Sequence, residues 1–420
     1  MAKHTLTDLL QMQSLPLEAK VRMTMVRVKG WINEYGRDGV YISFSGGKDS
    51  TVLMDIIRRQ MGEDIPAVFV DVPTQYPELR DFATSFDNVE VLRPKISFMQ
   101  VCEKYGFPLI SKEVSGAVYD ARKYLTRVLE TTESLQTDRQ TDRQTDRQIT
   151  NADHFADVVG IPRREKAKES ETYKNLKKGI IPNDIFERIV PKEIYDQYKD
   201  VINAPVRVRM LYGEYIHKEK GVPTDEFSKR YDKSKYEFLL QAPFDISDKC
   251  CKVMKKAPLH SYARRTGRKP ITAQMADESE LRKANWIKYG CNGFDMKSPI
   301  SNPLSFWTEQ DILRYIKQEN IPICSVYGDI VIDYEAMGEL EGQSFLFDTG
   351  IEPLKTTGCD RTGCMLCGFG VHCEKKSRFQ ALKETHPKMY NLLDVCKNNG
   401  VTFREAIEWT NEHGNLNIKL

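Results

Sequence analysis

Residues 41–51, YISFSGGKDST, restrict the fold of this chain more than any other segment. An apolar run typical of a strand leads directly into Ser-Gly-Gly-Lys-Asp-Ser, and apolar residues at helical spacing follow from position 52. The two glycines allow backbone N–H groups to turn inward, Lys48 adds a compact positive charge, and the new helix directs its positive end at the turn. This order predicts a cradle for phosphate groups. The simpler alternative is a glycine-rich turn without a ligand.

Further strands predict the sheet to which this loop belongs. Residues 67–72, 89–92 and 270–274 are short apolar runs separated by helical stretches, a pattern typical of a parallel, doubly wound α/β sheet. A helix is predicted from Thr308, with Asp311 three residues later as the capping partner. Ligands of such sheets lie at the carboxyl ends of strands, where Asp71 also falls. Asp71 therefore faces the ligand of the loop or, alternatively, is a buried aspartate that ends a strand.

Composition favours a soluble globular protein. The 420 residues are 40% hydrophobic and 29% charged, with a formal net charge of +2. We find no run of eighteen apolar residues, and the N-terminus is too polar for a signal peptide, so we expect a cytoplasmic protein with no membrane association. In a reducing compartment the ten cysteines favour metal ligation or redox chemistry over disulfides.

The chain divides by pattern into five regions. We expect an N-terminal helical segment at 1–37, two halves of a nucleotide-binding domain at 38–129 and 244–357, and an insertion between them at 130–243. Residues 358–420 form a cysteine-rich motif followed by helices. The insertion is predicted to be mostly helical and contains a low-complexity tract, TDRQ three times over at 137–148, to which we assign no function.

Positive charge is concentrated in two places. Residues 249–269 hold eight lysines or arginines and no acidic residue, whereas 163–178 hold seven basic residues mixed with three glutamates. Mixed charge is more typical of a solvated helix face. The first stretch is a candidate surface for phosphate groups.

The spacing of the cysteines suggests a metal centre. Cys250 and Cys251 are adjacent, and Cys364 and Cys367 form a C-x-x-C motif. Zinc ribbons normally use two C-x-x-C motifs, so a vicinal pair with one C-x-x-C favours a [4Fe–4S] cluster. Two alternatives stay open. One is buried free cysteines at the vicinal pair, and the other is a zinc knuckle whose four ligands are drawn from Cys359, Cys364, Cys367 and either His372 or Cys373.

These motifs together resemble the phosphoadenosine phosphosulfate (PAPS) reductase family, within the adenine-nucleotide α-hydrolase superfamily. SGGKDST is similar to the PP-loop of that family, and 68–83, 107–115, 250–259, 271–279, 302–322 and 363–370 resemble its later blocks. The resemblance implies that ATP or an adenylyl sulfate nucleotide binds with Mg²⁺ beside Asp49 or Asp71. Lys48 and Asp49 are then the candidate catalytic residues. The implied nucleotide-binding residues are Ser45, Gly46, Gly47, Lys48, Asp49, Ser50, Thr51 and Asp71.

Two departures from the family affect the expected reaction. Gln274, Met275 and Ala276 replace the paired arginines that follow the strand in the reductases, and the mobile C-terminal cysteine motif is absent. A related branch of the superfamily adenylates a substrate and transfers sulfur. We therefore expect α-phosphate chemistry coupled to sulfur transfer, with a nucleic acid or a protein as candidate substrate. The alternatives are a thiol-dependent reductase of adenylyl sulfate and a non-catalytic nucleic-acid-binding or regulatory protein. Oligomeric state is left open.

Overall fold

The computed structural model describes residues 3–125, 196, 204–216, 218–219, 222–223, 229–336, 352–374 and 377–420. The chain forms two compact units, each built from two separate stretches of sequence. The first unit comprises Met1–Ser97 and Cys251–Met365, and the second comprises Phe98–Cys250 and Leu366–Leu420. The TDRQ tract, the basic stretch at 163–178 and most of the predicted helical insertion lie outside the described residues.

The strands are short. In chain order they are β1 (Val40–Phe44), β2 (Ala67–Val70), β3 (Val89–Leu92), β4 (Leu109–Ile110), β5 (Lys218–Glu219), β6 (Val222–Pro223), β7 (Lys269–Ile271), β8 (Asn292–Gly293), β9 (Ile300–Ser301), β10 (Ile330–Ile332), β11 (Leu354–Thr356), β12 (Gly368–Phe369), β13 (Lys397–Asn398) and β14 (Val401–Thr402).

The α-helices are α1 (Leu6–Gln13), α2 (Leu17–Tyr35), α3 (Lys48–Asp55), α4 (Pro77–Thr84), α5 (Phe98–Tyr105), α6 (Val206–Leu211), α7 (Lys249–Cys251), α8 (Ala257–Thr266), α9 (Glu280–Tyr289), α10 (Glu309–Glu319), α11 (Arg378–Thr385), α12 (Pro387–Tyr390), α13 (Leu392–Val395) and α14 (Phe403–Gly414). Two π-helical turns, Ile56–Gln60 and Lys252–Lys256, follow α3 and precede α8. None of the helices in the described residues combines the length and apolar character needed to cross a bilayer.

A six-stranded sheet forms the centre of the first unit, with the spatial order β3-β2-β1-β7-β9-β8. Its neighbouring strands are parallel except for β8, which pairs antiparallel with β9. The chain leaves β1 toward β2 and β3, and β7 and β9 lie on the other side of β1. The order therefore reverses between β1 and β7, which is the place where doubly wound sheets bind ligands.

Alternating side chains of the central strands are buried on both faces of the sheet. Ile42 and Phe44 of β1 belong to the main core, together with Trp31 of α2 and Trp307. The intervening Tyr41 packs with Tyr262 of α8 in a separate cluster. Successive residues of a strand point to opposite faces, so these two clusters lie on opposite faces of the sheet. Helices therefore cover both sides of it.

The second unit contains small sheets and a cluster of aromatic rings. Strands β4 and β12 pair in parallel, and β13 and β14 form a hairpin. Phe107 stacks on Phe403 of α14 with ring centroids 4.8 Å apart, and Phe244 packs beside Phe107. Asn398 of the hairpin donates hydrogen bonds to the carbonyls of Cys102 and Glu103, which fixes the hairpin against the end of α5.

The structure confirms the predicted α/β fold with a mainly parallel sheet. The strands expected at 67–72, 89–92 and 270–274 correspond to β2, β3 and β7, although β2 and β7 end two and three residues earlier. Thr308 caps α10 by accepting the N–H of Asp311, and Asp311 in turn accepts the N–H of Thr308. The boundaries between the two units fall at 97/98, 250/251 and 365/366. The five regions predicted from the sequence stay predictions.

Candidate nucleotide-binding site

The glycine loop opens into a cavity at the reversal point of the sheet. The cavity measures about 330 Å³, within the range of small-molecule sites. Its walls come from the ends of β1 and β7 and from three later segments, all in the first unit: Ser43, Ser45, Gly47, Lys48, Asp49, Ser50, Thr272, Ala273, Gln274, Glu278, Arg282, Tyr327, Arg361 and Thr362. A larger cavity of about 760 Å³ lies beside α2 and α10, but its buried charges, Lys20 and Asp311, neutralise one another.

Gly46 gives the loop its shape. Its φ is +73°, a left-handed conformation that side chains rarely adopt, and an added Cβ would lie 3.1 Å from the carbonyl oxygen of Leu79. The turn is therefore limited both by backbone conformation and by close packing against α4. Gly47 follows in an extended conformation and is the N-cap of α3, so the amino end of this eight-residue helix points toward the cavity.

Hydroxyl groups stabilise the loop from within. Ser50 and Thr51 both donate to the carbonyl of Gly47, at 2.9 and 3.1 Å, and the hydroxyls of Ser45 and Ser50 lie 3.0 Å apart. The predicted donors thus serve mainly to hold the turn. Of the predicted nucleotide-binding residues, Ser45, Gly47, Lys48, Asp49 and Ser50 line the cavity, whereas Gly46, Thr51 and Asp71 do not.

Lys48 is the most buried cation of the cavity, with 3% of its surface exposed. Its ammonium group lies 3.0 Å from a carboxylate oxygen of Glu309 and donates to the carbonyl of Asp360 at 2.6 Å. Its backbone N–H donates to the hydroxyl of Tyr327 at 3.2 Å. Burial raises the pKa of Tyr327 to about 12, so this hydroxyl stays protonated at neutral pH.

Asp49 has a carboxylate oxygen, Oδ1, that is buried without a hydrogen-bond partner among the described residues. Burial raises the pKa of this carboxyl, and the charge of Lys48 opposes that effect. A buried, unsatisfied oxygen at the wall of a polar cavity fits a hard cation such as Mg²⁺, which prefers oxygen ligands. Asp49 is therefore the residue that would hold the predicted ion.

Two arginines add positive charge to the cavity. Arg282 of α9 and Arg361 both pair with Glu278, and the Arg361–Glu278 distance is 3.8 Å. Burial and the neighbouring Arg361 lower the pKa of Arg282. Arg361 and Thr362 come from a loop far along the chain, and Tyr327 comes from the 3-10 helix Ser325–Tyr327. Nothing in the local sequence indicated that these residues line the same cavity as the glycine loop.

Asp71 lies at the end of β2 in contact with two arginines. Arg80 and Arg93 reach its two carboxylate oxygens at 2.8 and 3.3 Å, and the Asp71 side chain is 5% exposed. The structure therefore places Asp71 in a local ion-pair network beside β2 rather than in the cavity wall. Its predicted contact with the nucleotide stays a prediction.

The four predicted cluster ligands divide between the units. Cys251 and Cys364 belong to the first unit, and Cys250 and Cys367 belong to the second. None of the ten cysteines, all of which lie in described segments, forms a disulfide. The described residues contain no group of three or more His, Cys, Asp or Glu side chains arranged to hold a metal ion. The [4Fe–4S] cluster and its zinc alternative remain predictions.

Comparison with known families agrees with this geometry. The model of the phosphoadenosine phosphosulfate reductase domain matches residues 39–154 and 209–368. The chain belongs to the PAPS reductase family. The matched residues include the glycine loop, all six strands of the sheet and the cavity wall, and they place the chain in the adenine-nucleotide α-hydrolase superfamily. No curated protein matches the chain. Members of the PAPS reductase family are generally enzymes.

Proposed function

We propose that this member of the PAPS reductase family binds ATP or an adenylyl nucleotide on the loop at 45–51. Attack of an acceptor on the α-phosphorus would then break the α–β phosphoanhydride bond, release pyrophosphate and prepare the acceptor for sulfur transfer. The observation that carries the proposal is the cavity itself, which joins the glycine loop, the amino end of α3 and three cations at the reversal point of the sheet.

The residues that line the cavity would have different roles in this reaction. Loop N–H groups and Lys48 would bind the phosphates, and the two arginines on Glu278 would balance charge that develops on the transferred or departing group. A Mg²⁺ ion on Asp49 would supply additional charge neutralisation for pyrophosphate. The buried carboxylate oxygen of Asp49, which has no hydrogen-bond partner within the described ranges, supports that assignment.

The test measures nucleotide binding and pyrophosphate release with labelled ATP. Lys48→Ala should abolish both, because it removes the buried ammonium of the loop. Lys317→Ala, a change at an exposed lysine of α10, is the matched control and should behave like the unaltered protein. Equal activity of the Lys48→Ala protein would refute the assignment.

Reduction of an adenylyl sulfate is the second candidate. The sequence lacks the paired arginines after β7, but the fold brings Arg361 beside Arg282 at the same cavity. Two guanidinium groups are well suited to a sulfate, because each offers a planar fork of donors. Production of sulfite from adenylyl sulfate and a thiol would favour this candidate over the first, and pyrophosphate release from ATP would favour the first.

A basic ridge on the first unit favours a nucleic acid as acceptor or partner. Lys252, Lys256, His260 and Arg264 are exposed and four residues apart, whereas Leu259, Tyr262 and Ala263 face the sheet. Within the described residues no ion pair joins the ridge to an acidic side chain. Residues four apart lie on one helix face, so this ridge presents a row of positive charge suited to a phosphate backbone.

Binding of a fluorescein-labelled single-stranded RNA tests the ridge by fluorescence polarisation. Replacing Lys252, Lys256 and Arg264 by Gln should weaken binding. The slope of log K against log salt concentration should become shallower by about 2, since each lost phosphate contact contributes about 0.7. The control replaces by Gln three exposed cations elsewhere, Arg22, Lys297 and Lys317, and therefore changes the net charge equally. Equal weakening by both triple variants would exclude the ridge as a binding surface.

A further inference from the structure

A second, smaller cavity lies beside the nucleotide-binding cavity in the first unit. It measures about 150 Å³, and Gln274 and Arg282 line both cavities. A molecule in the smaller cavity would therefore lie next to a nucleotide bound at the glycine loop. We call it the α9 cavity and define it by six residues of its wall: Gln274, Arg282, Asn285, Trp286, Tyr289 and Asn302.

One face of α9 forms much of the wall. Arg282, Asn285, Trp286 and Tyr289 occupy positions i, i+3, i+4 and i+7, so they lie on the same side of the helix. Trp286 is 3% exposed, whereas Asn285 is exposed to solvent. The wall thus reaches from the surface to the core, as is required of a pocket that admits one part of a larger ligand.

The buried part of the wall carries a hydrogen-bond donor that is not used. The indole Nε1 of Trp286 is buried and has no hydrogen-bond partner among the residues that the structure describes. The indole stacks on the ring of His4, with centroids 4.7 Å apart, which restricts its orientation. A buried donor without an acceptor destabilises the folded protein, so a ligand that brings an acceptor atom would remove this cost.

The rest of the wall offers neutral polar groups. Gln274 and Asn285 each contribute an amide, which has a donor and an acceptor side by side. The Oδ1 atom of Asn302 accepts the hydroxyl of Thr272, which leaves the NH₂ group of Asn302 as a donor. Among the described residues of the wall, Arg282 alone is charged, and it already forms an ion pair. The wall therefore fits a neutral ligand that both donates and accepts hydrogen bonds.

The volume of the α9 cavity limits the ligand to one ring. An apolar cavity of about 150 Å³ in another protein holds a single benzene molecule. Benzene itself would leave the amides of this wall without partners. A pyrimidine base has the same ring size and carries donors and acceptors on its pairing edge, which amide side chains can match. The second, fused ring of a purine would exceed the cavity.

We propose that the α9 cavity binds one pyrimidine base of a single-stranded nucleic acid and holds it beside the nucleotide-binding cavity as the acceptor. This inference rests on the proposed function and names its substrate class. A base must leave its stack to enter such a pocket, and the cost is smallest when the base is unpaired. The phosphates of the strand stay outside, where they are available to the basic ridge of the same unit.

The test compares two fluorescein-labelled RNA decamers by fluorescence polarisation, without ATP. One decamer alternates U and C, and the other alternates A and G. The two strands carry the same phosphates, so contacts to the backbone contribute equally and the ratio of the two Kd values reports the bases. The pyrimidine decamer should bind about tenfold more tightly.

Two variants assign this preference to the α9 cavity. Asn285→Ala removes an amide at an exposed helical position, and Trp286→Phe removes the indole N–H while keeping an aromatic ring in the core. Each should lower the ratio to about threefold or less and leave the Kd of the purine decamer unchanged. Asn33→Ala, at an exposed asparagine of α2, is the matched control and should keep the full ratio.

Uridine alone distinguishes a free nucleoside from a base within a strand. In equilibrium dialysis it should bind at least about tenfold more weakly than the pyrimidine decamer, because it brings no phosphates. Equal affinity would overturn the strand as the source of the base.

The outcomes separate this inference from the proposed function. Flexible pyrimidine strands can bind more tightly without any pocket, and a preference of that kind would persist in both variants. Persistence of the ratio, or equal binding of the two decamers by the unaltered protein, would overturn the base site. ATP binding and pyrophosphate release by the same protein would then leave the nucleotide site standing. Loss of the ratio in both variants, with no ATP binding, would keep the base site and overturn the proposed function.

Discussion

At the scale of single residues, the site combines a satisfied cation with an unsatisfied anion. Lys48 has partners for both its ammonium and its backbone N–H, whereas Asp49 keeps a buried oxygen that has no partner in the part of the chain that the structure describes. An acceptor left in this state destabilises the folded protein, and such costs are typical of functional sites. Asp49 therefore marks the position where a bound cation would relieve the penalty.

Replacing Asp49 by Asn should stabilise the protein while abolishing activity. The pKa of Asp49 in the folded protein lies above its ordinary value of 3.8, so the ionised carboxylate destabilises the fold at neutral pH. We expect a gain of about 1–3 kcal/mol in the free energy of unfolding at pH 7. The gain should fade as the pH falls through the raised pKa of the folded protein and vanish below 3.8, because Asp49 is then protonated in both the folded and the unfolded states.

Thermal melting across this pH range checks the prediction. Asp277→Asn, at an exposed aspartate beside the cavity wall, should shift the melting temperature little at any pH. A destabilised Asp49→Asn protein at neutral pH would show that the carboxylate has a stabilising partner after all.

At the scale of elements, the glycine turn and α10 owe their positions to different kinds of contact. Gly46 adopts a left-handed conformation against α4, whereas α10 is held to α2 by the buried pair Lys20–Asp311, with N–O at 2.7 Å. Asp311 also accepts the N–H and hydroxyl of Thr308 at the start of α10. Glu309 of the same helix forms an ion pair with Lys48, so the position of α10 affects the surroundings of the Lys48 ammonium.

Gly46→Ala should abolish ATP binding and lower stability by about 1–2 kcal/mol from backbone conformation alone. The added Cβ would also crowd the carbonyl of Leu79. Gly62→Ala is a matched control, because Gly62 has a φ of +69° with nothing within 4 Å of an added Cβ. The control should lose similar stability and keep ATP binding in equilibrium dialysis. Loss of binding in both variants would show that the glycine turn has no special role.

Lys20→Met should destabilise the protein by about 3–5 kcal/mol, since it leaves Asp311 buried without its cation. Unfolding in urea measures the effect on the free energy of unfolding. The Lys20→Met/Asp311→Leu double variant should recover part of the loss, because no uncompensated charge then stays buried. A single variant as stable as the unaltered protein would mean that Asp311 is satisfied by Thr308 alone.

At the scale of the whole molecule, both units draw on early and late parts of the chain. The sheet of the first unit joins strands on either side of the insertion, and the second unit joins 98–250 to 366–420. The predicted cluster ligands come from both. Folding of each unit therefore requires contacts between segments far apart in sequence.

Protein purified without oxygen should contain iron and absorb broadly at about 400 nm, the expectation for iron–sulfur ligation. Cys364→Ser should lose the iron, and Cys291→Ser, at a buried cysteine outside the predicted set, should retain it. A colourless sample containing zinc would favour the zinc knuckle, and a sample without metal would leave both metal predictions wrong.

The sequence alone determined the local parts of this protein. The strand, the glycine turn and the helix at 40–55, and the capped start of α10, follow from neighbouring residues, because turn conformation, capping and alternating burial are local properties. The same locality made SGGKDST sufficient to predict the loop and its lysine. It also allowed the parallel sheet to be predicted from the spacing of strands.

Only the tertiary structure decided what surrounds the loop. Tyr327 and Thr362 reach the loop across about three hundred residues of sequence, and Arg361 lines the same cavity. No short-range pattern encodes such a meeting. The tertiary structure also decided that Asp71 pairs with Arg80 and Arg93. An aspartate that ends a strand forms ion pairs with whichever cations the fold brings near. Local conformation is set by adjacent residues, whereas the composition of a cavity is set by packing.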